Sequence, residues 1–255
     1  MAFDFDTYHR FRTSRDIAAE VIYSDETVST MDDARKGAAE GGIPGTAYVA
    51  GAQTGGRGRM GHTWASEGAG LYVTFHLIAR DAITAPLFSV AGSLAVADAV
   101  RETSRIVPDL KWPNDVLHGG RKLSGILAES VLGSRVDVFL GIGINVRAGA
   151  YPPELAGIAT SIEEAGAPPP PNEELIAALA AALERHTAQL ARSPAVVVAE
   201  WRRRLTTLGR HVRLAAVDGK VFEGVAIDVS SRGEIVLRHD DGTEQSFAAG
   251  DVTTA

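Results

Sequence analysis

Four glycines and two arginines fall within seven residues of this chain, in the stretch Gln53-Thr54-Gly55-Gly56-Arg57-Gly58-Arg59-Met60-Gly61-His62-Thr63-Trp64. Glycine lets backbone N–H groups turn together toward an anion. The planar forks of Arg57 and Arg59 suit phosphate or carboxylate. Such a loop can fold over a nucleotide and keep water from a reactive phosphoanhydride. The same residues also fit a solvated loop or an RGG-like nucleic-acid contact. They do not form a P-loop, because G-x-x-x-x-G-K-[ST] occurs nowhere in the chain.

A second cluster reads Lys111-Trp112-Pro113-Asn114-Asp115-Val116, followed by Arg121-Lys122-Leu123-Ser124-Gly125-Ile126-Leu127-Ala128-Glu129. Pro113 and Asn114 predict a tight turn that projects the Asp115 carboxylate from a strand end. A hairpin at Gly119-Gly120 returns Lys122 toward that turn, so an acid and an amine share one pocket. The competing reading is a surface ion pair of little energetic value. Lysine is rare in this chain: only Lys36, Lys111, Lys122 and Lys220 are lysine, and two of the four lie in this segment.

The elements that must carry these residues follow from periodicity. Residues 1–20 predict a helix or a loose arm, and 21–23 a short strand. Ser29 and Thr30 before Asp32 and Asp33 predict a capped helix ending at Gly41-Gly42. Strands are predicted over 46–53 and 71–79, on either side of a glycine-rich loop over 54–70. A helix over 87–103 packs on the sheet. Strands follow at 110–112, 116–118, 122–130 and 136–146, the last interrupted by Gly141 and Gly143, where another group approaches the backbone. A proline linker at 167–171 leads to helices over 172–190 and 195–205. After Gly209 three short strands, separated by Asp218-Gly219, Arg232-Gly233 and Asp241-Gly242, predict a small all-β barrel.

Composition sets the outer limits. With 255 residues, 45% hydrophobic and 22% charged, the chain can bury a sizeable core. The absence of cysteine excludes disulfides and thiolate chemistry. A net charge of −7 disfavours a general nucleic-acid binder. No membrane-length apolar run and no secretory signal is visible, which predicts a cytoplasmic protein. His9, His76, His118, His186, His211 and His239 lack metal-site spacing, so no metal ligands are assigned. Ser66 and Ser124 show no His/Asp relay, and Trp201-Arg202-Arg203-Arg204 reads as a basic helix end.

Taken in order, Ser29-Thr30, the glycine-arginine loop ending in Trp64, KWPND at 111–115, K-L-x-G-I-L-x-E at 122–129, GIGIN at 141–145 and the β module resemble the biotin–protein ligase family. The resemblance implies an α/β (α+β) fold: a mixed sheet with packed helices, of the class II synthetase/biotin ligase type, over 1–207. An SH3-like barrel would occupy 208–255. It implies two reactions, attack of biotin on the α-phosphate of ATP with Mg²⁺ to give biotinyl-5′-adenylate, then attack by a carrier lysine. Lys122, Arg59 and Asp115 would be catalytic. Ser29, Thr30, Gln53, Gly56, Arg57, Lys122 and Gly125 would contact biotin. Arg57, Arg59, Trp64, Lys111, Asn114 and Asn145 would contact the nucleotide. Lys122 would stabilise charge developing at the α-phosphate, and Asp115 would draw the proton from the acceptor amine.

The sequence departs from the family pattern at Met31, where asparagine is common, and at His62, often arginine. The pair Gly55-Gly56 stands where a small residue is usual. Only about twenty-eight residues precede Ser29, so the short form without a DNA-binding domain is expected, with no nucleic-acid or membrane partner. The implied partner is the biotin carboxyl carrier domain of a biotin-dependent carboxylase, and the chain is expected to be a monomer or weak homodimer. The alternatives are a lipoate–protein ligase or octanoyltransferase, and a non-catalytic biotin-binding module. Biotin-dependent ATP–pyrophosphate exchange that lipoate cannot support would separate them.

Overall fold

In a computed structural model, residues 3–254 are described. Met1, Ala2 and Ala255, at the ends of the expected 1–207 and 208–255 units, lie outside the described residues. The first helix, α1 (Phe5–Phe11), is capped by Asp4, whose carboxylate accepts from the Thr7 backbone N–H. It is followed by β1 (Val21–Thr27), α2 (Thr30–Ala39), β2 (Ala47–Gln53) and β3 (Gly70–Ala79). Then come α3 (Leu87–Ser104), β4 (Asp109–Lys111), β5 (Asp115–His118), β6 (Arg121–Leu132) and β7 (Val136–Asn145).

These strands make one seven-stranded sheet in the order β1-β2-β3-β7-β6-β5-β4. β1 and β2 pair in parallel and every other pair is antiparallel, so the sheet is mixed. β3 lacks the inside–outside alternation of a half-buried strand: nine of its ten residues are buried, all but Ile78. The reason is that α2 and α3 pack against β7, the central neighbour of β3, and α2 and α4 (Asn172–Arg192) against β3 itself. A strand covered on both faces has no polar side to show. α5 (Pro194–Arg204) closes the helical layer, with its Trp201 fully buried.

The C-terminal strands are β8 (His211–Ala215), β9 (Val221–Val229), β10 (Ile235–Arg238), β11 (Glu244–Phe247) and β12 (Asp251–Thr254). They form an antiparallel sheet in the order β11-β10-β9-β8-β12. Three strands were predicted here, and β11 and β12 escaped because four-residue strands with polar faces carry little periodic signal. β11 and β12 are the two edges of this sheet and do not pair with each other among the described residues.

KWPND joins the two sheets. Trp112 is buried, and its indole N–H donates to the Gly233 carbonyl, in the turn between β9 and β10, at 3.0 Å. Its backbone N–H donates to Thr207 Oγ1 at 3.0 Å. Arg202 of α5 adds an ion pair to Asp228 of β9.

Candidate active site

Between the mixed sheet, the glycine-arginine loop and the edge of the C-terminal sheet lies a cleft of about 320 Å³. At one end the N-terminus of α2 meets the end of β2. Ser29 caps α2, its hydroxyl accepting from the Met31 N–H at 3.3 Å. Thr30 then faces Gln53, whose Oε1 accepts from the Thr30 N–H at 2.9 Å and from its hydroxyl at 3.2 Å. The Thr30 hydroxyl also meets Thr74 Oγ1 at 2.9 Å, and Gln53 Nε2 donates to Ser66 Oγ at 2.9 Å. The result is a connected polar row of fixed side chains, able to present donors and acceptors to a flat polar ligand.

The loop is folded on itself. Trp64 N–H donates to the Gly56 carbonyl at 3.0 Å and Gly58 N–H to the His62 carbonyl at 2.7 Å. A side chain at Gly56 is excluded, because a Cβ there would stand 2.4 Å from the Trp64 carbonyl oxygen. Arg57 reaches Asp32 of α2 at 2.6 Å. Arg59 turns inward and its guanidinium meets Asn114 Oδ1 at 3.4 Å. Burial lowers the pKa of Arg59, and the carboxylates of Asp251 and Asp115 oppose that shift.

The floor explains the glycines in β6 and β7. The Trp64 ring lies so close to Gly125 and Gly143 that a Cβ on either would stand 2.8 Å and 2.4 Å from it. Gly141 plays the same part for Met31. Gly125, expected at the biotin pocket, therefore faces Trp64 directly. Trp64 in turn receives the Lys122 ammonium at 5.5 Å from its ring centroid.

Lys122 Nζ stands 2.6 Å from Asp115 Oδ1, with both side chains partly covered. The hairpin β5–β6 brings them together, as the Gly119-Gly120 turn predicted. Lys111 pairs with Asp115 in the β4–β5 ladder and lines the same cleft. Asn114 ties this turn to β6, accepting from the Ile126 N–H through its carbonyl at 3.2 Å and donating through its side chain to the Ile126 carbonyl. Asn145 behaves differently. It is buried outside the cleft lining, and its amide donates to the Thr160 carbonyl at 2.9 Å and the Lys122 carbonyl at 3.3 Å.

Sequence reasoning missed two contributions. Asp251, Val252 and Thr253 of β12 line the cleft from the C-terminal sheet, and Ile158 lines it from the segment after β7. That segment clasps Lys122 on both sides, the Lys122 N–H donating to Ile158 at 2.7 Å and the Thr160 N–H to Lys122 at 2.9 Å. No motif marks either region.

Away from the cleft, Asp98, His186 and Glu200 lie close enough to hold a metal. Arg204 pairs with two of that group, 3.1 Å from Asp98 and 3.9 Å from Glu200. Burial would raise the Asp98 pKa, yet hydrogen bonds from His186 and Arg204 hold it below the usual carboxylate value. The cluster is a neutralised structural network.

Residues 25–145 match the Biotin/lipoate A/B protein ligase family, and residues 207–253 match the Biotin protein ligase C terminal domain. The chain is 34% identical over 234 residues to the biotin–[acetyl-CoA-carboxylase] ligase of Mycobacterium tuberculosis, covering 89% of this chain and 86% of that protein. The chain belongs to the biotin protein ligase family. It is also 32% identical over 238 residues to the bifunctional ligase/repressor BirA of Bacillus subtilis, covering 90% of this chain and 72% of that protein. Among solved structures, the ligase is similar to the Aquifex aeolicus biotin protein ligase in complex with biotin and ATP. The TM-score is 0.78 at 26% identity, covering 92% of this chain and 98% of that one. No helix among the described residues of the ligase is long and apolar enough to cross a membrane.

Proposed function

We propose that this ligase joins biotin to ATP as biotinyl-5′-adenylate and then transfers biotin to a lysine of a biotin carrier protein. The observation that carries the reading is the Lys122–Asp115 pair, 2.6 Å apart, in one cleft with the Thr30–Gln53–Thr74 row and beneath the Arg57–Arg59 loop. The polar row suits the cyclic urea of biotin, with Ser29 and Gly56 shaping that end, while Gly125 lies against Trp64 beside Lys122. The biotin carboxylate then points toward Lys122. There the ammonium neutralises charge as the carboxylate oxygen attacks the α-phosphate and pyrophosphate leaves. Arg57, Arg59, Lys111, Asn114 and Trp64 form the nucleotide side, and Asn145 acts on it by fixing the Lys122 backbone.

In the second step the acceptor amine, ordinarily protonated near neutral pH, gives its proton to Asp115. The neutral nitrogen attacks the biotinyl carbonyl and AMP departs. Mg²⁺ bound with the nucleotide would neutralise phosphate charge, and Asp115 and Asp251, the carboxylates among the described residues that line the cleft, would be the ones to hold it. The chemistry requires an accessible protein lysine, and the partner proposed to supply it is the carrier domain of a biotin-dependent carboxylase. The division into a catalytic unit and a C-terminal unit near residue 207 belongs to the same proposal, with β12 lending residues to the catalytic cleft.

The test is transfer of biotin to a purified biotin carboxyl carrier domain with ATP and Mg²⁺, read as the mass added to one lysine. ATP-dependent stoichiometric labelling is expected. Biotin binding without labelling, or pyrophosphate exchange supported equally by lipoate, would overturn the proposal.

A further inference from the structure

Met31 is nearly buried, yet it lines the cleft next to the polar row. Its backbone follows Thr30 at the start of α2, and its side chain crosses to β7. There its terminal methyl stands 2.9 Å from where a Cβ of Gly141 would be. Gly141 is the register partner of Thr74, whose hydroxyl lies 3.6 Å from the same point. The thioether methyl and the polar row therefore converge on one spot. Behind Met31 the surroundings are apolar: Ala34, Tyr48 and Phe139 are buried with it, and Leu127 packs against them.

We infer that Met31 is a specificity-determining residue, whose methyl over Gly141 closes the ring end of the cleft and selects for the apolar bulk fused to the cyclic urea. The inference rests on the ligase reading above and refines its substrate. The polar row meets the urea in the same way whatever is fused to it. Discrimination among cyclic ureas therefore falls to an apolar side chain held at a fixed depth, and Gly141 holds Met31 at that depth. A buried thioether packs closely against an irregular ring. The loss of one such contact in an apolar pocket changes selectivity about tenfold or more.

The experiment compares biotin with desthiobiotin, which keeps the cyclic urea and the carboxylate chain but lacks the sulfur bridge, by ATP–pyrophosphate exchange with the full chain. Met31→Ala is expected to lower the biotin-to-desthiobiotin ratio of kcat/KM about tenfold, mainly through biotin. Met31→Leu, which keeps the volume, leaves the ratio close to that of the unmodified chain. Gly141→Ala pushes the methyl toward the ligand and raises the KM for biotin, and Met31→Ala in that background restores it. An unchanged ratio in Met31→Ala, or a Gly141→Ala defect that Met31→Ala does not relieve, would overturn the inference while leaving the ligase reading intact. Absence of biotin-dependent exchange in the unmodified chain would overturn the ligase reading, and this inference with it.

Discussion

The loop that holds Arg57 and Arg59 and the hairpin that holds Asp115 and Lys122 face each other across the cleft, yet they are fastened in different ways. The loop bonds mainly to itself, and Met60, Gly61, His62 and Thr63 at its tip are exposed. The hairpin is built into the mixed sheet through β6, clasped at Lys122 by residues 158–160, and tied through Trp112 to the C-terminal sheet. In the proposed reaction the loop acts as the lid, which must open for ligands to enter and leave, and that role suits charges held on backbone with few outside ties. The groups proposed to act on developing charge must already be in place, and that role suits the sheet-bound backbone of the hairpin.

The hairpin side should show the largest effects. Lys122→Ala is expected to lower biotin-dependent ATP–pyrophosphate exchange about 10²- to 10³-fold, the loss typical for one preorganised donor at a developing charge. Asp115→Asn should depress transfer to the carrier lysine more than exchange, which single-turnover assays of the two half-reactions would separate. Equal losses in both half-reactions would show that Asp115 serves only to hold Lys122. Trp112→Ala removes a fully buried indole and its hydrogen bond to Gly233, and should destabilise the chain by about 3–5 kcal/mol. Denaturant unfolding measures this, and a change below about 1 kcal/mol would mean that Trp112 does not fasten the hairpin.

The contrast also marks where the sequence was legible. The hairpin could be read because a Pro-Asn turn and a Gly-Gly turn fix the register, and register decides which side chains share a face. Most strand and helix positions followed from periodicity for the same reason. The glycines of β6 and β7 were legible only as sites of close approach. That Gly125 and Gly143 admit Trp64, and Gly141 admits Met31, depends on contacts between residues 61–110 positions apart, which no local pattern records. Asp251 and Ile158 were illegible because they reach the cleft through the packing of the C-terminal sheet and of an irregular segment. Asn145 carried a motif signal, but not the information that its amide would be used on the backbone of Lys122 and Thr160.

Effects on the loop side should be smaller and of another kind. Arg59 is half-buried against Asn114, close to Asp115 and Asp251, so it links lid to hairpin. Arg59→Ala is expected to leave adenylation within about tenfold of the unmodified chain, since a charge-assisted hydrogen bond contributes roughly 1.5–3 kcal/mol and Arg59 already spends part of it on Asn114. The adenylate should instead escape faster and label lysines of bystander proteins. Retention equal to that of the unmodified chain, measured by release of labelled adenylate, would remove Arg59 from the lid.

The smallest effect belongs to Arg57 and Asp32, paired at 2.6 Å with both side chains substantially exposed. An exposed pair of this kind contributes at most about 1 kcal/mol. Asp32 holds the guanidinium that is proposed to meet the ligand, so the pair must break before Arg57 can act. Asp32→Asn should therefore leave stability nearly unchanged and tighten binding of biotin with a nucleotide analogue by no more than about fivefold. Raising the salt concentration should tighten the unmodified chain toward the variant, after allowance for direct screening of the anion, because exposed charges are screened within about 10 Å at 0.1 M. If Asp32→Asn instead weakens binding, Asp32 is holding Arg57 in its working position, and the lid is preorganised in the same sense as the hairpin.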